Sequence, residues 1–252
     1  MCAVALWCSA QAQRPALEFN GEGKFKIAQF TDVHLDLGNP YRQAQAEKTI
    51  AQMRYILDAE RPDLVVFTGD VVTGKPAAEG WKRVLAPVAE RNLPFCVVLG
   101  NHDAEQDIPR AGIGRIVTSY AGTLNTLNAD GELADVVLEI AGKKSPAALL
   151  YCLDSHDYST VEGIDGYGWF TQDQIRWYRD RSAAYTRGQR RETAAGAGLF
   201  SYRPARIRRG VAQSRQYAYR PRRRGRVSGR AESRHVRGDG RERRRDGGVR
   251  GA

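Results

Sequence analysis

An alternation across residues 24–99 does most to limit what this chain can become. Three short apolar-rich runs, Phe25–Phe30, Leu64–Phe67 and Phe95–Leu99, are separated by two longer stretches with helical spacing. Runs of this length bounded by turn residues read as buried strands. Between the first two, Ala44–Ala59 puts Ile50, Met53 and Leu57 on one helical face. Between the last two, Ala77–Arg91 does the same with Trp81, Val84, Leu85 and Val88, and Pro87 is expected to kink or shorten it. Gly38-Asn39-Pro40, Arg61-Pro62-Asp63 and Asn92-Leu93-Pro94 supply the breaks. A βαβαβ order predicts an α/β fold with parallel strands joined by right-handed crossovers. Further on, Asp135–Ile140 and Ala147–Leu153 read as a strand pair about the turn Gly142-Lys143-Lys144. Gln172–Ala184 reads as a helix carrying Ile175, Trp177 and Tyr178, and Gly112-Ile113-Gly114 as a loop.

Each of the first three strands runs into a polar motif: Asp32-Val33-His34, Gly69-Asp70 and Gly100-Asn101-His102-Asp103. Ligands of open α/β sheets bind outside the carboxyl ends of the strands. Carboxylate, imidazole and amide groups are therefore expected to converge at one edge of the fold, and these are donor types for divalent metals. Asp32 and His34, two apart in a strand leaving the sheet, can point the same way. Gly69 permits a tight turn into Asp70, whose carboxylate can bridge two cations about 3.5–4 Å apart. Asn101 offers a neutral oxygen, and His102 beside it can act as an acid or stabilise developing charge. Any one motif is common by chance. Three in this order, each after a strand, are not.

Charge divides the chain. Residues 187–252 hold 21 Arg, no Lys and five acidic residues, a net of +16, whereas residues 1–186 are net −6. At the start, Cys2–Cys8 is apolar and leads into Ser9-Ala10-Gln11-Ala12, which resembles the end of a secretory signal cleaved before Gln13. Residues 1–13 are thus expected to be a signal remnant and the protein periplasmic or secreted. Cys96 and Cys152 lie in apolar runs and are expected to be buried thiols. No stretch is long enough to span a membrane as a helix.

The three motifs together resemble the calcineurin-like metallophosphoesterases, whose signature is Asp-x-His, Gly-Asp, Gly-Asn-His-Asp/Glu, a lone His and Gly-His-x-His. The first three blocks stand here as Asp32/His34, Gly69/Asp70 and Gly100–Asp103. Ser119-Tyr120-Ala121-Gly122 with Leu124-Asn125, and Leu153-Asp154-Ser155 with Tyr167-Gly168-Trp169, look like a subgroup related to purple acid phosphatases. The resemblance covers about Lys24 to Thr186. It implies two mixed β-sheets packed face to face with flanking helices, a four-layer sandwich, here incomplete at its C-terminal end. It also implies two metal ions (Fe, Mn or Zn). Asp32 and His34 would hold the first, Asp70 would bridge, and Asn101 would hold the second. His102 would protonate the leaving group or stabilise the phosphoryl charge, with Asp103 orienting it, while a metal-bound hydroxide attacks a phosphate mono- or diester.

The family's site needs three more histidines after the Gly-Asn-His block. This chain has four in all, and only His156 and His235 come later, neither in a matching motif. The expectation is a site with one ion, weakly held, and impaired activity. An Arg-only tail is what GC-rich DNA yields when read out of frame. Read from the second base of each codon, with CGN for Arg, Glu192–Tyr202 permits Lys-Pro-Leu-Pro-Ala-Leu-Ala-Phe-Phe-His-Ile, and Arg203–Ala212 permits Ala-Leu-Pro-Glu-Tyr-x-Glu-Ala-Trp. Both resemble the family's lone-His block. A one-base shift between about Ala184 and Arg191 is therefore expected, with residues 187–252 disordered as written. The competing reading is a nucleic-acid arm, in which Arg contacts phosphates and Tyr202, Tyr217 and Tyr219 stack on bases.

Overall fold

The computed structural model describes residues 15–143, 145–188 and 195–199. The secretory leader expected over residues 1–13, the stacking tyrosines of the tail and His235 lie outside them.

Three parallel strands, β2 (Ile27–Phe30), β3 (Leu64–Thr68) and β4 (Phe95–Val98), form one sheet in the order β2-β3-β4. The crossovers are α1 (Pro40–Glu60) and α2 (Ala77–Ala89). Asn39 caps α1 by accepting the Arg42 N–H, and Pro40 opens the helix, where its missing N–H costs nothing. Pro87 sits in the last turn of α2, which closes two residues later, so it shortens the helix as its position predicts.

A second sheet, in the order β1-β5-β6-β7, is mixed. β1 (Leu17–Glu18) runs parallel to β5 (Val136–Ala141), β5 antiparallel to β6 (Ala148–Cys152), and β6 parallel to β7 (Ala195–Leu199). α4 (Gln172–Gly188) runs two residues past residue 186, and β7 pairs with β6. A small-residue strand such as Ala195–Leu199 contributes its backbone hydrogen bonds to β6 whatever its side chains.

Side chains sort by strand alternation. From the first sheet, Val65, Phe67, Phe95 and Val97 face α1 and α2, packing with Trp81, Val84, Leu57 and Ile113. Their neighbours Leu64, Val66, Cys96 and Val98 face the second sheet, against Val136, Leu138, Leu150 and Cys152. The far face of the second sheet, Leu149, Tyr151 and Leu153, packs on Phe170, Trp177 and Tyr185. The layers are thus helices, sheet, sheet, helix. β3 is buried along its whole length because both of its faces are covered.

One feature differs from expectation. Gly112-Ile113-Gly114 is not a loop but the middle of α3 (Arg110–Thr118). A Cβ at Gly114 would lie 2.6 Å from the Gly131 carbonyl oxygen, so this glycine serves a close backbone approach rather than a turn. Asn125, singled out by resemblance, is structural: its amide donates to the Val97 oxygen and accepts the Val97 N–H, both at 2.8 Å, completing the open side of β4. Cys96 and Cys152 are buried free thiols facing one another between the sheets.

Candidate metal centre

The chain segments leaving β2 and β3 stay paired beyond the sheet. The Asp32 N–H donates to the Gly69 oxygen (3.0 Å), and the His34 N–H to the Asp70 oxygen (2.9 Å). This tether brings the first two motifs together at the carboxyl ends of the strands. Asp32, His34 and Asp70 all have positive φ, 52°, 49° and 52°. Left-handed backbone at non-glycine residues costs energy and persists where surrounding structure holds it. Three such residues in one patch mark it as a site.

Asp32, His34 and Asp70 each present a donor atom, and these atoms lie within 4.8 Å of one another. His34 Nε2 is 3.9 Å from Asp32 Oδ1 and 3.9 Å from Asp70 Oδ2. An ion bound at about 2.0–2.2 Å from each donor needs donors roughly 3–4.4 Å apart, so the set fits a divalent cation with slight contraction. Two carboxylates and an imidazole suit Zn, Mn or Fe. Thr31 Oγ1 donates to Asp32 Oδ2 (2.6 Å), and the His102 N–H donates to Asp70 Oδ1 (3.1 Å), so both carboxylates are oriented from behind.

Gly100 allows the third motif to approach. A Cβ there would stand 2.2 Å from Asp70 Oδ1 and 2.4 Å from the Asp70 nitrogen. The motif then places Asn101, His102 and Asp103 in three environments. Asn101 donates its Nδ2 to Tyr158 Oη (3.2 Å), which leaves its carbonyl oxygen as the end available to a cation. The His102 ring lies 6.0 Å from the His34 ring. Its Nδ1 is 2.6 Å from Glu105 Oε2, which raises the imidazole above its ordinary value and turns Nε2 away as the nitrogen open to a substrate.

Asp103 is not where the resemblance puts it. Its carboxylate is fully buried and accepts four backbone N–H groups: Asp70 (2.9 Å), Val71 (2.7 Å), Val72 (3.0 Å) and Gly100 (2.7 Å). Burial pushes its carboxyl up, against the pull of those donors. Asp103 therefore builds the Asp70 turn, and the carboxylate on the imidazole belongs to Glu105.

Sequence reasoning passed over Glu105 and Tyr158. Tyr158 Oη donates to Glu105 Oε1 (2.5 Å), linking Asn101, Glu105 and His102 into one network. Glu105 carried a local signal, its position three residues after His102 in a turn; Tyr158, 57 residues from Asn101, carried none. The loop bearing Tyr158 is anchored by Arg110, which pairs with Asp154 and Asp157 while only 12% exposed. His156 is turned away, with Nε2 3.0 Å from Gln174 Oε1 on α4.

Strand order brings the donor cluster and the oriented imidazole together at one edge of the fold. The chain matches the calcineurin-like phosphoesterase family model over residues 25–203, and it belongs to that family. It is 34% identical over 192 residues to Phosphatase DCR2 of Saccharomyces cerevisiae, covering 67% of this chain and 33% of that protein. It is 32% identical over 200 residues to the probable inactive purple acid phosphatase 29 of Arabidopsis thaliana, covering 69% of this chain and 51% of that protein. The chain thus spans about a third to a half of these relatives. A dimetal phosphatase from Danio rerio aligns with TM-score 0.48 at 13% identity, covering 70% of this chain and 69% of that one.

Proposed function

We propose that this chain carries one wall of a two-metal phosphoesterase centre and binds a single divalent cation, weakly, through Asp32, His34 and Asp70. The observation that carries this is the convergence of those three donors within 4.8 Å at the strand ends. When bound, such an ion polarises a phosphoryl oxygen and lowers the pKa of a water beside it. Asn101 extends the site toward a second ion. His102, fixed by Glu105, stands ready to donate its proton to the leaving oxygen of a phosphate mono- or diester. Hydrolysis is expected to be slow, because the sequence holds only two histidines after His102 and one of them, His156, bonds to Gln174.

Calorimetric titration with Mn²⁺ and Zn²⁺ tests the reading. One weak site is expected, lost at least tenfold in affinity in His34→Ala and Asp70→Asn. Absence of binding would remove the metal centre, and two tight sites would contradict the impairment.

The Arg-only composition supports a second part of the proposal, that residues from about 187 onward are encoded one base out of register. The shifted reading of Glu192–Phe200 spells an apolar segment, and the segment it overlaps pairs with β6 as β7. Sequencing the DNA across codons 184–191 decides it; a frame whose codons cannot spell the His-containing block rejects it. In a frame-repaired chain, metal-dependent hydrolysis of p-nitrophenyl phosphate is expected to rise well above that of the chain as it stands. Export to the periplasm or medium is proposed from the signal-like start, and a fusion of residues 1–13 to a periplasm-dependent reporter tests it.

A further inference from the structure

Cys96 stands on β4 and Cys152 on β6, so the two cysteines among the described residues come from different sheets. Within its own sheet each lies opposite a valine, Cys96 opposite Val66 and Cys152 opposite Val136. Across the gap between the sheets the two sulfurs meet. The thiols are hydrogen-bonded neighbours in one apolar cluster with Leu64, Val98, Leu138 and Leu150. Both are shut from solvent, Cys96 at 0% and Cys152 at 2% exposure. Packing alone would be served as well by small aliphatic side chains, so a facing pair of thiols points to their chemistry. Their place in the chain also matters. Cys96 comes four residues before Gly100, on the strand that delivers Asn101 and His102, and Cys152 comes two residues before Asp154, where Arg110 pins the loop carrying Tyr158. Asn101 and Tyr158 then meet at 3.2 Å. A bond between the sulfurs fastens together the two strands that lead into that contact.

We propose that Cys96 and Cys152 are a disulfide-forming pair, oxidised by a small-molecule disulfide while the chain folds and closed into a cross-sheet staple between β4 and β6. The proposal is independent of the phosphoesterase reading. In the first exchange the thiolate of one cysteine attacks a sulfur of the oxidant R–S–S–R, forming a mixed disulfide and releasing R–S⁻. The second cysteine, as thiolate, then attacks the protein sulfur of that mixed disulfide and expels the other R–S⁻. The two thiols lose two protons and two electrons in all, and the oxidant leaves as two R–SH. The S–S bond, about 2.05 Å long, replaces the thiol–thiol contact. Burial sets the timing. In the folded chain neither sulfur is open to an oxidant, and Cys96 together with burial holds the Cys152 thiol well above its usual range, so attacking thiolate is scarce. The exchange therefore belongs to the folding chain, and a chain that has folded reduced stays reduced.

The test uses the full chain in a Cys2→Ser/Cys8→Ser background, reduced and unfolded in urea, then diluted into a mixture of oxidised and reduced glutathione. Tryptic mapping without reductant is expected to recover Asn92–Arg110 and Ser145–Arg176 joined through their cysteines, with no thiol titratable in urea. A second sample, made by cell-free translation in the same glutathione mixture, avoids the urea step and is expected to give the same linked peptides. The oxidised chain is expected to unfold at about 1–2 M more urea than the same chain after reduction, because the link closes the long stretch 96–152 in the unfolded state. The chain folded reduced and then given the same mixture is expected to keep both thiols. Separate peptides from both preparations, glutathione left on either cysteine, or an oxidised chain that unfolds at the same or lower urea than the reduced one would each overturn the pair. Rapid linking in the chain already folded would overturn its restriction to folding.

Discussion

Replacing Asp103 by Asn isolates the part of the site that the fold builds before any ligand arrives. Asp103 Oδ1 accepts Val71 (2.7 Å) and Val72 (3.0 Å), and Oδ2 accepts Asp70 (2.9 Å) and Gly100 (2.7 Å). An amide has one oxygen, so whichever way Asn turns, two buried N–H groups meet an NH₂ instead of an acceptor. Hydrogen bonds to a charged acceptor contribute roughly 1.5–3 kcal/mol each, so losing two costs about 3–6 kcal/mol. Removing a buried charge returns some of this, leaving a net loss of about 3 kcal/mol. With a urea slope of about 2 kcal/mol/M, the midpoint of unfolding is expected to fall by about 1.5 M. Zn²⁺ affinity is expected to fall in the same variant, since the released amides are those that aim Asp70. Urea titration followed by tryptophan fluorescence, with calorimetry alongside, makes the measurement. A midpoint shift under about 0.3 M would refute the account of Asp103 as the buried anchor of this turn.

Three further outcomes are expected. Glu105 raises His102 above its ordinary 6.5, so the stabilisation from that pair is present below 6.5 and lost as pH rises through the higher folded value. NMR titration of the metal-free chain should place the His102 midpoint above 6.5 and move it back in Glu105→Gln; a midpoint at or below 6.5 in the unmodified chain contradicts the pairing. Gly100→Ala drives a Cβ to 2.2 Å from Asp70 Oδ1, with backbone as the next neighbour, and is expected to destabilise by about 3 kcal/mol in thermal unfolding and to abolish metal binding. Finally, the Cys96 thiol beside it and burial hold the Cys152 thiol well above the usual range. In a Cys2→Ser/Cys8→Ser background, neither remaining cysteine should react with Ellman's reagent at pH 8 until urea is added, and rapid native labelling would show the sheet interface to be open.

Local pattern alone was enough for the strand–helix alternation of residues 24–99 and for the meeting of Asp32, His34 and Asp70 at one sheet edge. Periodicity and turn residues act over a few neighbours, and the rule linking strand ends to ligand sites needs only their order. Packing supplied the rest. α3 went unread because Gly112 and Gly114 signal a break locally, while the approach of residue 131 that calls for Gly114 comes from elsewhere in the chain. Asp103 and Glu105 are two carboxylates near one imidazole, and adjacency favoured the first. Only the turn at residues 70–72, with three N–H groups pointing at the same buried point, draws Asp103 inward and leaves His102 to Glu105. Nothing local marked Tyr158 and Tyr167 as surface residues. Their exposure, and the bond from Tyr158 to Asn101 across 57 residues, depend on how two distant loops fold against one another. Short-range physics is written along the chain, whereas the partners of a buried charge or an exposed ring are set by segments that meet only after folding.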